Sequence, residues 1–256
     1  MYVVGYPKSG NTWLCYLLAY CLNAEYDDLD DPGIHPRNEY QRRYVKGGLE
    51  HTSYQDKLGK VLKTHTLEIK NQDSTPVVYL VRDGRDVMVS YSYYKNSFTQ
   101  KSISWSSYKT ILRQLYRLSI EKLTAVKKDW VFSWFMRRHT LDWVNHIDTW
   151  MKKKPIAIVK YEDLKTIPEK TLEELMLKLG VQVDSEIIQQ AVQIFKFENL
   201  SNRRTGEENK KSFYRKGIVG DWKNHFSSSD TAFFNKKASY ILEILGYELH
   251  NNGNSC

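Results

Sequence analysis

Gly5-Tyr6-Pro7-Lys8-Ser9-Gly10-Asn11-Thr12 stands between an apolar run, Tyr2 to Tyr6, and a second apolar stretch, Thr12 to Leu22. The first run reads as a strand and the second as a helix, joined by a turn that contains Gly and Pro. The two glycines have the GxxxxG spacing of a phosphate-binding loop. Backbone N–H groups in such a loop, with the helix N-terminus behind them, form an anion site. A Walker loop carries Lys directly after its second glycine, followed by Ser or Thr. Here Asn11 fills that place and the lysine, Lys8, sits inside the loop. From there it meets a bound phosphate chain rather than reaching past it to a terminal phosphate on Mg²⁺. Thr12 remains as a hydroxyl donor.

Outward from this loop, strands and helices alternate. Lys60 to Lys63 reads as a short strand, and Pro76 to Val81 as a strand buried on both faces. A helix opens near Gly84 and carries Val87, Val89, Tyr91 and Tyr94. Residues 105–127 and 140–152 are amphipathic and read as helices, and Pro155 to Val159 as another buried strand. Two helices follow, Glu169 to Leu179, stopped by Gly180, and Ser185 to Phe195, with Asp184 as N-cap. The last helix runs from Thr231 to Leu245, with Asp230 as N-cap and Gly246 beyond its end. Asp27 to His51 and 198–217 read as irregular. The alternation predicts an α/β fold: a P-loop-like parallel sheet with helices on both faces, in a single domain over 1–246. Residues 247–256 read as a disordered tail.

Bulk composition narrows the function classes. The chain has 256 residues, 41% hydrophobic and 27% charged, enough for one sizeable core. No apolar run approaches the roughly 20 residues of a membrane span, and no signal peptide is visible. The three cysteines, Cys15, Cys21 and Cys256, form neither a disulfide framework nor a metal spacing, so a cytoplasmic location is expected. The net charge of +8 is spread along the chain without a block of like charges. An anionic nucleotide accounts for it at least as well as a polynucleotide does.

Tyr6-Pro7-Lys8-Ser9-Gly10-Asn11-Thr12-Trp13 resembles the 5′-phosphosulfate loop YPKSGTTW of sulfotransferases that use 3′-phosphoadenosine 5′-phosphosulfate (PAPS). Asn11 replaces the first Thr and keeps a side-chain donor. Val77 to Ser90 resembles the family's 3′-phosphate segment, which places Arg82 at a strand end and Ser90 on the next helix. An arginine fork and a hydroxyl both suit phosphate oxygens. Tyr214-Arg215-Lys216-Gly217-Ile218-Val219-Gly220-Asp221-Trp222-Lys223 resembles the late RKGxxGDWK motif, implying a loop over the 3′-phosphate. Tyr161-Glu162-Asp163-Leu164 matches the YEDL stretch, and the resemblance implies that Tyr161, Trp13 and Phe197 surround the adenine. Leu62-Lys63-Thr64-His65 resembles the family's KTH. The five clusters lie in the family's order and span about residues 1–246.

The resemblance implies in-line sulfuryl transfer from PAPS, with PAP as product, to a hydroxyl or amine of a small-molecule acceptor. It makes His65 the general base and gives Lys8 and Lys63 the charge on the leaving phosphate. No metal is expected: no Asp/Glu/His cluster has ligand spacing. The family's KxxxTVxxxE dimer motif falls near Lys223, but Ser227-Ser228 stand where Thr-Val belongs, so dimerisation by that route is not implied. Trp130 to Met136 reads equally as a pocket lining, a lid or a core-packing helix. Two rival functions make distinct demands. A kinase needs Lys after Gly10 and an Asp ending a strand for Mg²⁺, whereas the strands end in Arg82 and Lys160. A nucleic-acid binder would show steep salt dependence; neither rival accounts for five ordered motifs.

Overall fold

The structure is a computed structural model that describes residues 1–30, 51–69, 75–98 and 123–249. In chain order the elements are β1 (Tyr2–Val4), α1 (Asn11–Cys21), β2 (Tyr26–Asp28), α2 (Gln55–Leu58), β3 (Val61–Thr64), β4 (Val77–Val81) and α3 (Gly84–Phe98). There follow α4 (Leu123–Lys152), β5 (Ala157–Lys160), α5 (Tyr161–Thr166), α6 (Pro168–Lys178), α7 (Ser185–Ile194), α8 (Phe197–Ser201), a 3₁₀ turn (Asp221–Asn224) and α9 (Ser228–Ile244). They fall into two compact units: Met1–Arg82 with Asn145–Thr205, and Asp83–Val144 with Gly206 onward.

The first unit is built on a parallel sheet of order β2-β3-β1-β4-β5. Tyr2 pairs with Leu62 on one side and Val77 on the other, so the carboxyl ends of β3, β1 and β4 lie side by side. The chain leaves β1 for β2 at one edge and later crosses β1 to reach β4. That reversal of strand order opens a crevice beyond the carboxyl ends, where open α/β sheets bind ligands. β4 is buried along its whole length, as its continuous apolar run requires. Leu14, Leu17, Leu18 and Cys21 of α1 are fully buried in one core with Val3, Val61, Val78 and Leu80.

Several sequence expectations are corrected here. β2 runs into the stretch from Asp27 expected to be loop; three residues with two aspartates carry too little apolar pattern to signal a strand. β5 is not buried on both faces: it is an edge strand, and Ile158 is 37% exposed. Asp184 occupies the N-cap of α7 but its side chain makes no capping bond. In the second unit the cap of α9 is Ser227, not Asp230. Asp230 is the third helical residue and closes a reciprocal capping box with Ser227. Residues 130–136 lie on α4: Trp130 and Trp134 are exposed, Met136 is buried, and Phe132 packs edge-on against Phe226 at 5.4 Å. Tyr247 donates to the Leu242 carbonyl and the Glu248 carbonyl accepts from Arg85, while 250–256 and 105–122 lie outside the described residues.

Candidate functional site

In the first unit the loop after β1 turns on left-handed backbone at Lys8 (φ 70) and Gly10 (φ 105). Gly10 is required twice over. Its φ is unfavourable for other residues, and a Cβ there would come within 2.7 Å of the Tyr161 ring. The Ser9 hydroxyl is buried and has no hydrogen-bond partner among the described residues. A buried hydroxyl left unsatisfied is costly, and an anion oxygen seated in the loop would satisfy it. This orphan donor, the left-handed turn and the start of α1 fit a phosphate group. Lys8, Asn11 and Thr12 belong to the same turn, and Asn11 and Thr12 are buried.

His65 follows β3, the neighbour of β1. Its Nδ1 lies 2.6 Å from the Gly5 carbonyl, and Asn11 Nδ2 donates to the same oxygen at 3.0 Å. Asn11 Nδ2 also lies 3.0 Å from Nδ1, but the Gly5 oxygen is nearer and can only accept, so Nδ1 carries the proton and donates to it, while Asn11 donates to Gly5. That leaves Nε2 unprotonated. Burial, and then the positive Lys63, lower the His65 pKa to about 4, against opposing contributions from Gly5, Asp30 and Asp28. The imidazole is therefore neutral near pH 7, as a base must be.

Lys63 sits on β3 with its ammonium clasped by both oxygens of Asp28, at 2.9 and 2.8 Å. Asp30 lies beyond, 3.7 Å from the Lys63 ammonium and 3.9 Å from His65 Nε2, and accepts the Thr64 hydroxyl at 3.1 Å. Asp28 and Asp30 were missed in the sequence because nothing in their spacing marks an ion-pair partner on β2.

Arg82 leaves the end of β4, donates to the Lys8 carbonyl at 3.3 Å and stacks its guanidinium 4.2 Å above the Tyr161 ring. Tyr161 meets Trp13 edge-on at 5.8 Å, and Trp13 Nε1 donates to the Phe195 carbonyl at 2.8 Å. Phe197, two residues on, is buried with Lys165 and Arg203 each 5.7 Å from its ring. So Lys8, Ser9, Gly10, Asn11, Thr12, Trp13, Lys63, His65, Arg82, Tyr161 and Phe197 all belong to the first unit, at or after strand ends or on the helices beside them.

Ser90, Arg215, Lys216 and Gly217 belong to the second unit. Ser90 is buried on α3. Arg215 pairs with Glu208 at 2.5 Å and with Asp221, and Lys216 pairs with Asp221 at 2.7 Å. Burial alone would raise the Asp221 pKa, but hydrogen bonds from Lys216, Arg215 and Asn224 outweigh it and hold the carboxyl well below its usual range. Asp86 of α3 accepts the backbone N–H groups of Gly220 at 2.7 Å and Trp222 at 2.9 Å. Asp86 thus anchors the segment that carries the two cations, a role for which a lone Asp gives no sequence signal.

The family profile described as Sulfotransferase domain matches residues 1–243. The chain belongs to the sulfotransferase family. It is 26% identical to Sulfotransferase 2A1 of Macaca fascicularis, over 96% of this chain and 85% of that protein. It is 28% identical to Sulfotransferase 1B1 of Mus musculus, over 93% and 82%. Among solved structures, retinol dehydratase in complex with androsterone and inactive cofactor PAP superimposes with a TM-score of 0.58 at 20% identity, covering 94% of this chain and 80% of that one. The parallel sheet with its helices is thus that of the sulfotransferase fold. No helix among the described residues is long and apolar enough to cross a membrane. Among the same residues, no cluster of three or more His, Cys, Asp or Glu could hold a metal ion.

Proposed function

We propose that this sulfotransferase moves the sulfuryl group of PAPS onto a hydroxyl or amine of a small-molecule acceptor, with His65 as general base. The observation that carries the reading is the fixed tautomer of His65: Nδ1 donates to Gly5 and Nε2 is left as the acceptor, beside the phosphate-type loop. PAPS supplies an activated sulfuryl group on a good leaving phosphate. The Ser9 hydroxyl, the loop N–H groups and Lys8 are suited to hold its 5′ end. Tyr161, Trp13 and Phe197 are the candidates for its adenine. Arg82, Ser90, Arg215, Lys216 and Gly217 are the candidates for its 3′-phosphate.

In the reaction the acceptor atom bonds to sulfur as the bond from sulfur to the 5′-phosphate oxygen breaks. The acceptor proton passes to His65 Nε2, and Lys8 and Lys63 face the charge that gathers on the phosphate. Orientation and fixed charge supply most of such catalysis. The retinol dehydratase structure, which holds PAP with androsterone, supports the PAP and small-molecule assignments.

The test is thermal melting in EDTA with PAP. A ligand at 100 times its Kd adds about 2.7 kcal/mol, so PAP should raise the midpoint without metal. A rise only with ATP and Mg²⁺, or no rise with PAP, would overturn the proposal in favour of a kinase or a site lost.

A further inference from the structure

The His65 backbone is gripped from behind by side chains that the reaction itself does not use. His146 Nε2 lies 3.0 Å from the His65 carbonyl, and Trp150 Nε1 donates to the next carbonyl, Thr66, at 3.1 Å. His146 and Trp150 are four residues apart on the last turns of α4, so both face the same way. The two carbonyls lie just beyond β3, where its ladder to β1 has ended at Thr64. Tyr79, fully buried on β4, places its hydroxyl 2.7 Å from His146 Nδ1. Its ring is stacked near both helix residues, 5.7 Å from His146 at 25° and 6.0 Å from Trp150 at 21°. Tyr6, in the phosphate-type loop, meets His146 edge-on at 5.7 Å.

Only one arrangement of protons satisfies these contacts. A carbonyl can only accept, so His146 Nε2 must donate to His65. Neutral imidazole has one N–H, so Nδ1 accepts, and the Tyr79 hydroxyl must be the donor. Tyr79 therefore dictates the tautomer of His146, and that tautomer holds the His65 carbonyl. Burial lowers the His146 pKa, in keeping with a neutral ring.

We propose that His146, its tautomer set by Tyr79, is a positioning residue for His65: it fixes the backbone from which the base projects, so that Nδ1 stays on Gly5 and Nε2 faces the acceptor. This rests on the reading of His65 as the base. Freed from His146, the His65 ring should swing off the Gly5 carbonyl and lose its enforced Nδ1–H tautomer. It should also leave the pocket shared with Lys63, Asp28 and Asp30 and titrate closer to an ordinary histidine.

The test is ¹⁵N NMR of the histidine rings in the full chain, with and without PAP, on His146→Phe, His146→Gln, Tyr79→Phe and the double variant. The parent should show His65 as the Nδ1–H tautomer. His146→Phe, which keeps bulk and removes the donor, should convert His65 largely to Nε2–H, with PAP affinity within about twofold of the parent. His146→Gln, which restores a donor, should recover the parent signature. Tyr79→Phe removes one hydroxyl from a ring that still stacks, so it should fold even where His146→Phe does not; it should shift His65 part of the way. The double variant should be no worse than His146→Phe alone, since both act through one chain of hydrogen bonds. With PAPS and an acceptor that the parent turns over, kcat of His146→Phe should fall about tenfold or more. A parent-like His65 signal in both His146→Phe and Tyr79→Phe overturns the positioning role. His65→Ala run alongside separates the two ideas: if it keeps the parent's turnover, the reading of the base itself falls, and this inference with it.

Discussion

Lys63 and Asp28 form an ion pair taken almost wholly out of water: the ammonium lies 2.8 Å from the nearer carboxylate oxygen, and the side chains are 8% and 3% exposed. A pair in that setting is costly to half-dismantle. Lys63→Met should leave the Asp28 carboxylate buried without its counter-ion, held only by the Asp30 backbone N–H at 3.1 Å, at about 3–5 kcal/mol, and the melting midpoint should drop steeply. Asp28→Leu with Lys63→Met removes both charges, and much of that stability should return. Turnover of PAPS with an acceptor that the parent uses should stay low in the double variant, because the role proposed for Lys63 needs its cation at the leaving phosphate. A double variant that melts and turns over like the parent would show that the pair only supports the fold.

The turn after β1 was legible because its signal is local. Two glycines at fixed spacing, between a strand and a helix, require the backbone seen at Gly10. The strand ends were legible for the same reason: short apolar runs closed by Lys63-Thr64-His65 and by Arg82. What was not legible is what those residues touch. Asp28 reaches Lys63 because β2 pairs with β3 in a parallel register that sets Asp28 opposite Lys63. His146 reaches His65 across 81 residues of chain. Asp86 meets Gly220 across 134. Tertiary partners of this kind have no period and no neighbouring motif, so a single sequence offers nothing to find them by.

Gly10→Ala should weaken PAP binding more than it destabilises the chain. The new methyl meets the Tyr161 ring at 2.7 Å, and that ring carries the Arg82 guanidinium at 4.2 Å. Pushing Tyr161 aside therefore disturbs a loop, an aromatic platform and a cation at once, while the left-handed backbone adds about 1–2 kcal/mol of strain. The PAP-induced rise in melting midpoint should largely vanish. A full rise in Gly10→Ala would place the anion elsewhere.

In the second unit, Asp86→Asn should loosen the segment that carries Arg215 and Lys216. The carboxylate takes two backbone N–H groups, at 2.7 and 2.9 Å, and charge-assisted bonds are about twice as strong as neutral ones. An amide can replace one acceptor but presents its own N–H to the other donor. Amide hydrogen exchange at Gly220 and Trp222 should accelerate at least tenfold. Arg215→Ala should reduce PAP affinity directly, so a variant with fast exchange and unchanged PAP affinity would remove this segment from the nucleotide site.

The pH dependence of stability has a definite sign. His65 ordinarily titrates at 6.5 and is held at about 4 in the folded chain. Between those values the unfolded chain binds a proton that the folded one refuses, so stability falls as pH drops from 6.5 towards 4 and this contribution then levels off. At pH 5.0 the loss from His65 alone should be about 2 kcal/mol relative to pH 7.5. His139, His146 and His225 are also lowered, chiefly by burial, and act in the same direction. Asp221 belongs to a separate window: its carboxyl is held below 3.8, so its contribution is present above that pH and lost below it. Urea unfolding at pH 7.5 and 5.0 isolates the His65 share by comparison with His65→Gln, which cannot titrate. The parent should lose about 2 kcal/mol more than the variant over that interval. PAP seated as proposed, with its 5′-phosphate in the loop after β1, brings negative charge near His65 and should raise its pKa, which shrinks the difference when PAP is saturating. Equal losses in parent and variant would mean that His65 titrates alike in the folded and unfolded chains, and the burial and Lys63 charge that hold its pKa down would not act on it.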